Sequence, residues 1–299
     1  MVIFSGWALE WTALAKALGS GALVFAILRS VGKLGDRVSG MVSGLPFASA
    51  PALLWLATER NPALMAATLT DAMVTASAYA MFAVVFLALA HFLRGWVLLP
   101  LAALASLALV HALHTVFAFA EPTSSALLVC GVLLWGARLL LPQSAAVQGG
   151  QGTPQAASAL RRAALSVTQR HAVNAVLSGL LVVFLMLLGQ SAPRWLAAAM
   201  VGLPVISATV LASAQASGSH SKTLRTAEGF IDGCLIRACF CFFFALLLPV
   251  LGAGAAFTCA IVLALALAGS LFLRARMRSQ THALESRQAL TTVWIGSPP

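Results

Sequence analysis

The run LMAATLTDAMVTASAYAMFAVVFLALA, residues 64–90, carries a single charged side chain, Asp71. About 20 consecutive apolar residues in a helix cross the ~30 Å hydrocarbon core of a bilayer, and a helix satisfies its own backbone hydrogen bonds there. The run therefore reads as a transmembrane helix. Outward from it in both directions the pattern repeats. Apolar stretches separated by polar breaks predict helices near 8–28, 40–57, 64–90, 96–118, 123–141, 172–191, 195–215, 226–250 and 254–273. The whole chain is 61% hydrophobic and 9% charged with a mean hydropathy of +0.95, whereas a soluble domain is about 25% charged. The alternation that an outer-membrane barrel needs is missing. The expected fold class is all-α, a polytopic membrane protein of about nine spans.

Charge sets the expected orientation. One alternating set of connections holds Arg29, Lys33, Arg37, Arg94, Arg161, Arg162, Arg170, Lys222 and Arg225, and Arg274, Arg276, Arg278 and Arg287 follow the last span. The other set holds little beyond Arg60 and Arg194, offset by Glu59 and Glu121. The positive-inside bias then predicts a bacterial inner-membrane protein with its N terminus outside and its C terminus in the cytoplasm. The net charge of +10 is accounted for by basic loops facing anionic lipid, so membrane lipids and no nucleic acid are the expected partners. Trp7, Trp11, Trp55, Trp96, Trp135 and Trp195 fall near expected helix ends, as interfacial anchors do. The first apolar run contains Glu10 and Lys16 and has no basic region ahead of it, so it is expected to stay as a helix rather than be cleaved.

A repeat organises the chain. Gly44–Ala50 reads GLPFASA and Gly202–Ala208 reads GLPVISA, 158 positions apart and identical at five of seven. The same offset carries the run at 64–90 onto 222–248, 96–118 onto 254–276, and Thr68 onto Thr226, and it brings Asp71 within one residue of Glu228. Duplication is the reading these agreements support. Residues 1–120 would form a first unit of four spans and 172–276 a second. Between them, 121–171 would hold a linking span and a Gly, Gln, Ser and Ala-rich cytoplasmic linker, and 277–299 a cytoplasmic tail expected to be mobile or to lie on the membrane. An odd linking helix inverts the second unit, so the expectation is a 4 + 1 + 4 arrangement with inverted-topology repeats.

The unit from Ser39 to Val116 has the GLP element, a second helix ending at Glu59 and Arg60, and two further helices. In these features it resembles the small GlpM-type bacterial inner-membrane proteins. Those proteins are about the size of one repeat, and the resemblance implies a duplicated relative of them without implying a biochemical activity.

Chemistry is expected where the breaks fall. Gly44, Pro46 and Ser49, and their mates Gly202, Pro204 and Ser207, place helix breakers and hydroxyls inside apolar segments, with the two prolines roughly 9–14 Å deep at 1.5 Å per residue. Proline removes a donor and frees carbonyls, so these six residues with the deep Arg237 are the expected substrate-binding set. The other reading is that Gly and Pro serve close packing or a kink. Asp71, Glu228 and Asp232 are charged groups inside spans, and their expected role is proton coupling. Their alternative is a place within the first turns of their helices, where carboxylates complement the dipole and reach interfacial water. His111 and His114 share a side of their helix, where packing by hydrogen bonds competes with proton relay. Cys130, Cys234, Cys239, Cys241 and Cys259 lie in apolar runs without metal-ligand spacing and are expected to fill the core.

No phosphate-binding loop, zinc-protease signature or nucleophile elbow occurs, so no enzyme activity and no cofactor or metal is expected. Two functions stay open. One is a secondary transporter that moves a small polar or charged solute by alternating access with proton coupling. The other is a non-catalytic accessory subunit of an assembly handling envelope lipid or polysaccharide, and a second copy or a membrane subunit is its expected partner.

Overall fold

The computed structural model describes residues 35–46, 49–59, 61–90, 92–93, 98–116, 124–141, 205–216 and 219–295, with scattered helical positions between 18 and 29 and between 169 and 180. The expected helices near 8–28 and 172–191, the linker, and the candidate residues Gly202 and Pro204 lie wholly or largely outside these. The described elements are all helices: α1 Asp36–Gly44, α2 Ala50–Glu59, α3 Pro62–Ala90, α4 Leu98–Val116, α5 Ser124–Leu140, α6 Val205–Ala216 and α7 His220–Ile295. Three of them are long and apolar enough to cross a membrane: α3, α4 and the His220–Arg274 part of α7.

Local chemistry explains the boundaries. Asn61 accepts the Ala63 N–H on its side-chain oxygen at 2.9 Å and Pro62 follows it, a cap and a first-turn proline that start α3. The segment expected as one helix over 40–57 is two, because Pro46 drives Leu45 out of helical conformation, to φ −66° and ψ 155°. The Leu45 N–H turns back to the Val42 carbonyl at 3.2 Å, and α2 starts after Ser49, whose carbonyl accepts the Leu53 N–H at 2.8 Å.

The helical course of α7 is broken at Gly252, with φ 73° and ψ 168°. Pro249 stands just ahead of the break, where its ring and its missing N–H already weaken the helix. The break falls between the two spans expected at 226–250 and 254–273. At 1.5 Å per residue, the 55 residues of His220–Arg274 would otherwise extend about 80 Å, far beyond one hydrocarbon thickness.

Past Arg274 the helix runs on to Ile295. The stretch ARMRSQTHALESRQAL contains neither Gly nor Pro and is rich in Ala, Arg, Leu, Met, Glu and Gln, which favour helix.

Helix α3 and the first limb of α7 run antiparallel at the centre. Met65, Leu69 and Met73 share one core with Phe240, Phe244 and Leu248, while Phe82, Phe86 and Leu87 share another with Leu224, Phe230 and Ile231. Phe82 meets Phe230 edge-on at 6.3 Å. The second limb folds back after Gly252, so that Phe257 packs edge-on against Phe240 and Phe244 at 5.8 and 5.7 Å, and it buries Ala256, Ala260, Ala264 and Ala268 in one stripe. Helix α4 lies outside: 17% of its most apolar window is buried against 72% for α3. Its outer face, with Leu101 and Leu104, and that of α5, with Leu128, Val132 and Trp135, expose apolar side chains suited to hydrocarbon.

The tightest contact is between α1 and α7. A Cβ on Gly229 would overlap the Arg37 carbonyl oxygen, one on Gly40 would overlap that of Thr226, and Gly44 and Gly233 abut in the same way. Both helices carry Gly-x-x-x-Gly, Gly40–Gly44 and Gly229–Gly233, and the two motifs face each other. Lipid tails are as apolar as these side chains, so helix association in a bilayer depends on such close packing.

Candidate functional site

Polar groups collect at three levels along the α3–α7 pair. Several buried hydroxyls belong to none of them: Thr68, Thr70, Ser77, Ser106 and Thr226 each donate to the carbonyl four residues back, at 2.8–3.1 Å.

The middle level is the break between α1 and α2. Ser43, Ser49, Ser207 and Arg237 are all buried there. Ser207 of α6 donates to the Ser43 carbonyl at 2.9 Å, and Arg237 of α7 donates through Nη2 to the Leu45 carbonyl at 3.0 Å. Carbonyls beside the Pro46 break are thus held by side chains far along the chain. Ser49 turns to the Pro46 carbonyl at 3.4 Å. Tyr79, fully buried on α3, and Cys234 and Cys241, buried on α7, lie within electrostatic reach of Arg237. Of the expected substrate-binding set, the structure brings Gly44, Pro46, Ser207 and Arg237 to one place, with Ser49 beside them.

The second level surrounds Asp232. Arg37 donates to Oδ2 at 2.8 Å and Arg138 to Oδ1 at 2.5 Å, tying α1 and α5 to α7. Asp36 and Lys222 pair nearby at 3.4 Å. Two guanidinium groups share the one carboxylate, and Arg37 and Arg138 are partly exposed. Glu228 is partly buried one turn before Asp232.

The third level is Asp71 of α3 with His114 of α4, whose Nε2 and Oδ1 atoms stand 3.5 Å apart. Asp71 and Asp232 do not meet. Helix α3 starts at Pro62 and α7 at His220, earlier than the hydropathy pattern predicts, so Asp71, Glu228 and Asp232 lie roughly two to three turns into their helices.

Sequence reasoning missed Arg37, Arg138 and Tyr79 as members of these groups, and it left His114 between packing and relay. The paired Gly-x-x-x-Gly spacing was a usable signal for the α1–α7 contact. The arginine partners of Asp232 had no such signal, because they come from helices 195 and 94 positions away. Cys130, Cys234 and Cys241 are buried as expected, but Cys259 is exposed on the second limb of α7. Among the described residues no group of three His, Cys, Asp or Glu side chains could hold a metal ion. Comparison of the chain with family models, curated proteins and solved structures found no match.

Proposed function

We propose that this chain is a secondary transporter of the inner membrane, moving a small polar or charged solute by alternating access with proton coupling. The observation that carries the reading is the break at Leu45 and Pro46, deep in the bundle, with carbonyls beside it held by Ser207 and Arg237. Bonds between a broken helix and side chains of other elements can be exchanged for bonds to a solute, whereas the backbone bonds of an intact helix cannot.

The reading includes nine crossings as 4 + 1 + 4, an outside N terminus and inverted repeats akin to GlpM-type proteins. Support for the repeat comes from α3 and the first limb of α7. They run antiparallel in contact, as mates across an axis in the membrane plane would, and Thr68 and Thr226, Phe82 and Phe240, and Phe86 and Phe244 stand at the repeat offset of 158. Tyr79 and Arg237 are at the same offset and lie within electrostatic reach of each other, near where such an axis would pass.

The test needs no known solute. Single cysteines at Ser49 and Ser207, in a background without the five native ones, are labelled from each membrane face. Labelling of the same position from both faces, in proportions that change with pH, is the expected result. Protection from both faces under all conditions would sink the reading. The second reading, a non-catalytic accessory subunit, is favoured by the α1–α7 glycine contact, which suits a permanently closed bundle. Protection at both serines, together with isolation only in complex with another membrane protein, is its expected outcome.

A further inference from the structure

Helix α5 has two unlike faces. Ala126, Cys130 and Ala137 are buried, whereas Leu128, Val132, Trp135 and Leu139 are exposed at 66–68%. With 3.6 residues per turn, the exposed four fall in one stripe about 60° wide. Arg138 stands on the flank of that stripe, three residues after Trp135, and α5 ends two residues later at Leu140. The apolar face therefore stops at a cation. Where such a face meets hydrocarbon, its end lies at the level of the lipid headgroups.

The cation is held in place and open at once. Arg138 bonds Oδ1 of Asp232 through Nη1, yet 50% of its side chain is exposed, and Arg37 bonds Oδ2 through Nη2 with 32% exposed. A guanidinium carries five N–H donors on three nitrogens and keeps its charge at any ordinary pH. One nitrogen of each group serves the carboxylate, and the exposed edges face outward side by side. The other carboxylates at this end are Asp36, paired with Lys222 at 3.4 Å, and Glu228, one turn before Asp232 on α7. Neither is on α5, which contains no acid.

We infer that Arg138, with Arg37 beside it, binds the phosphate of an anionic phospholipid whose acyl chain lies along the exposed stripe of α5. Both ends of such a lipid are matched. Planar guanidinium donors suit phosphate oxygens. The stripe over 128–139 is about 17 Å long at 1.5 Å per residue, close to the ~15 Å of one leaflet's hydrocarbon. A soluble anion would use the arginines and leave the stripe unused. A zwitterionic headgroup would bring its own cation toward the two guanidinium groups, so the anionic lipid is preferred. Asp232 already fixes both arginines, so little side-chain freedom is lost when phosphate binds. This lipid site stands apart from the transport reading and does not depend on it.

The test places the full chain in nanodiscs of phosphatidylcholine with a trace of photoreactive lipid, a diazirine on the acyl chain of either phosphatidylglycerol or phosphatidylcholine. Labelled positions are read by mass spectrometry of peptides. In the wild type, the phosphatidylglycerol probe is expected to label α5 over 128–139 about tenfold or more above the phosphatidylcholine probe. Equal labelling by the two probes overturns the inference, and that comparison requires no variant to fold. Arg138→Gln, in which Arg37 still holds Asp232, is expected to bring the phosphatidylglycerol signal down to the phosphatidylcholine level, whereas an unchanged signal overturns the site. Arg274→Gln removes an exposed arginine outside the cluster and is expected to change nothing. A loss as large as that in Arg138→Gln would mean that general surface charge draws the lipid, and the site would fall. Displacement of the probe by millimolar inorganic phosphate would assign the arginines to a soluble anion and overturn the lipid as occupant.

Discussion

Asp232 shows what a single carboxylate does at a helix junction. It is nearly buried, and it joins α1 through Arg37 and α5 through Arg138. Its partners reach water, with side-chain exposures of 32% and 50%, so each loses part of its worth to solvent screening. Asp232→Asn removes the charge from both bonds and is expected to cost about 1–3 kcal/mol, read as a lower unfolding midpoint in detergent. Arg37→Met should cost less, because Arg138 still holds the carboxylate. Equal losses in the two variants would show that Arg138 contributes nothing.

Helix packing separates the glycines into two kinds. Gly229 and Gly40 sit where backbone meets backbone, and an added methyl would overlap a carbonyl oxygen of the facing helix. Gly131 and Gly136, on α5, have nothing within 4 Å of the place a Cβ would take. Gly229→Ala is therefore expected to destabilise by at least about 2 kcal/mol, since α1 would have to move away as a unit. Gly131→Ala should be neutral or stabilising by up to about 1 kcal/mol, because it trades a flexible helix residue for a good helix former. Chemical unfolding of both variants in mixed micelles measures the contrast, and equal destabilisation would count against the α1–α7 contact.

The architecture of the whole molecule turns on Gly252. Its φ of 73° with ψ of 168° belongs to a region almost reserved for glycine, and the two limbs of α7 fold together only through it. No atom stands near its missing Cβ, so a substitution there tests backbone strain apart from packing. Gly252→Val is expected to cost about 1–3 kcal/mol and to loosen the contact of Phe257 with Phe240 and Phe244. Cysteine pairs at positions 240 and 257, cross-linked in the membrane, report this directly. Undiminished cross-linking in the valine variant would mean that the limbs are held together without the strained turn.

The sequence by itself determined the solvent and the element type, because long apolar runs with so few charges leave helices in hydrocarbon as the workable structure. It also located the breaks, since Pro46 and Gly252 act through local backbone sterics. Which groups meet was decided only by the tertiary structure. Asp71 finds His114, Asp232 finds Arg37 and Arg138, and Arg237 finds the Leu45 carbonyl, all between separate helices. No local pattern encodes such pairings, because they follow from how helices cross. The crossing of α1 and α7 is set by glycines that leave empty the space where two backbones touch.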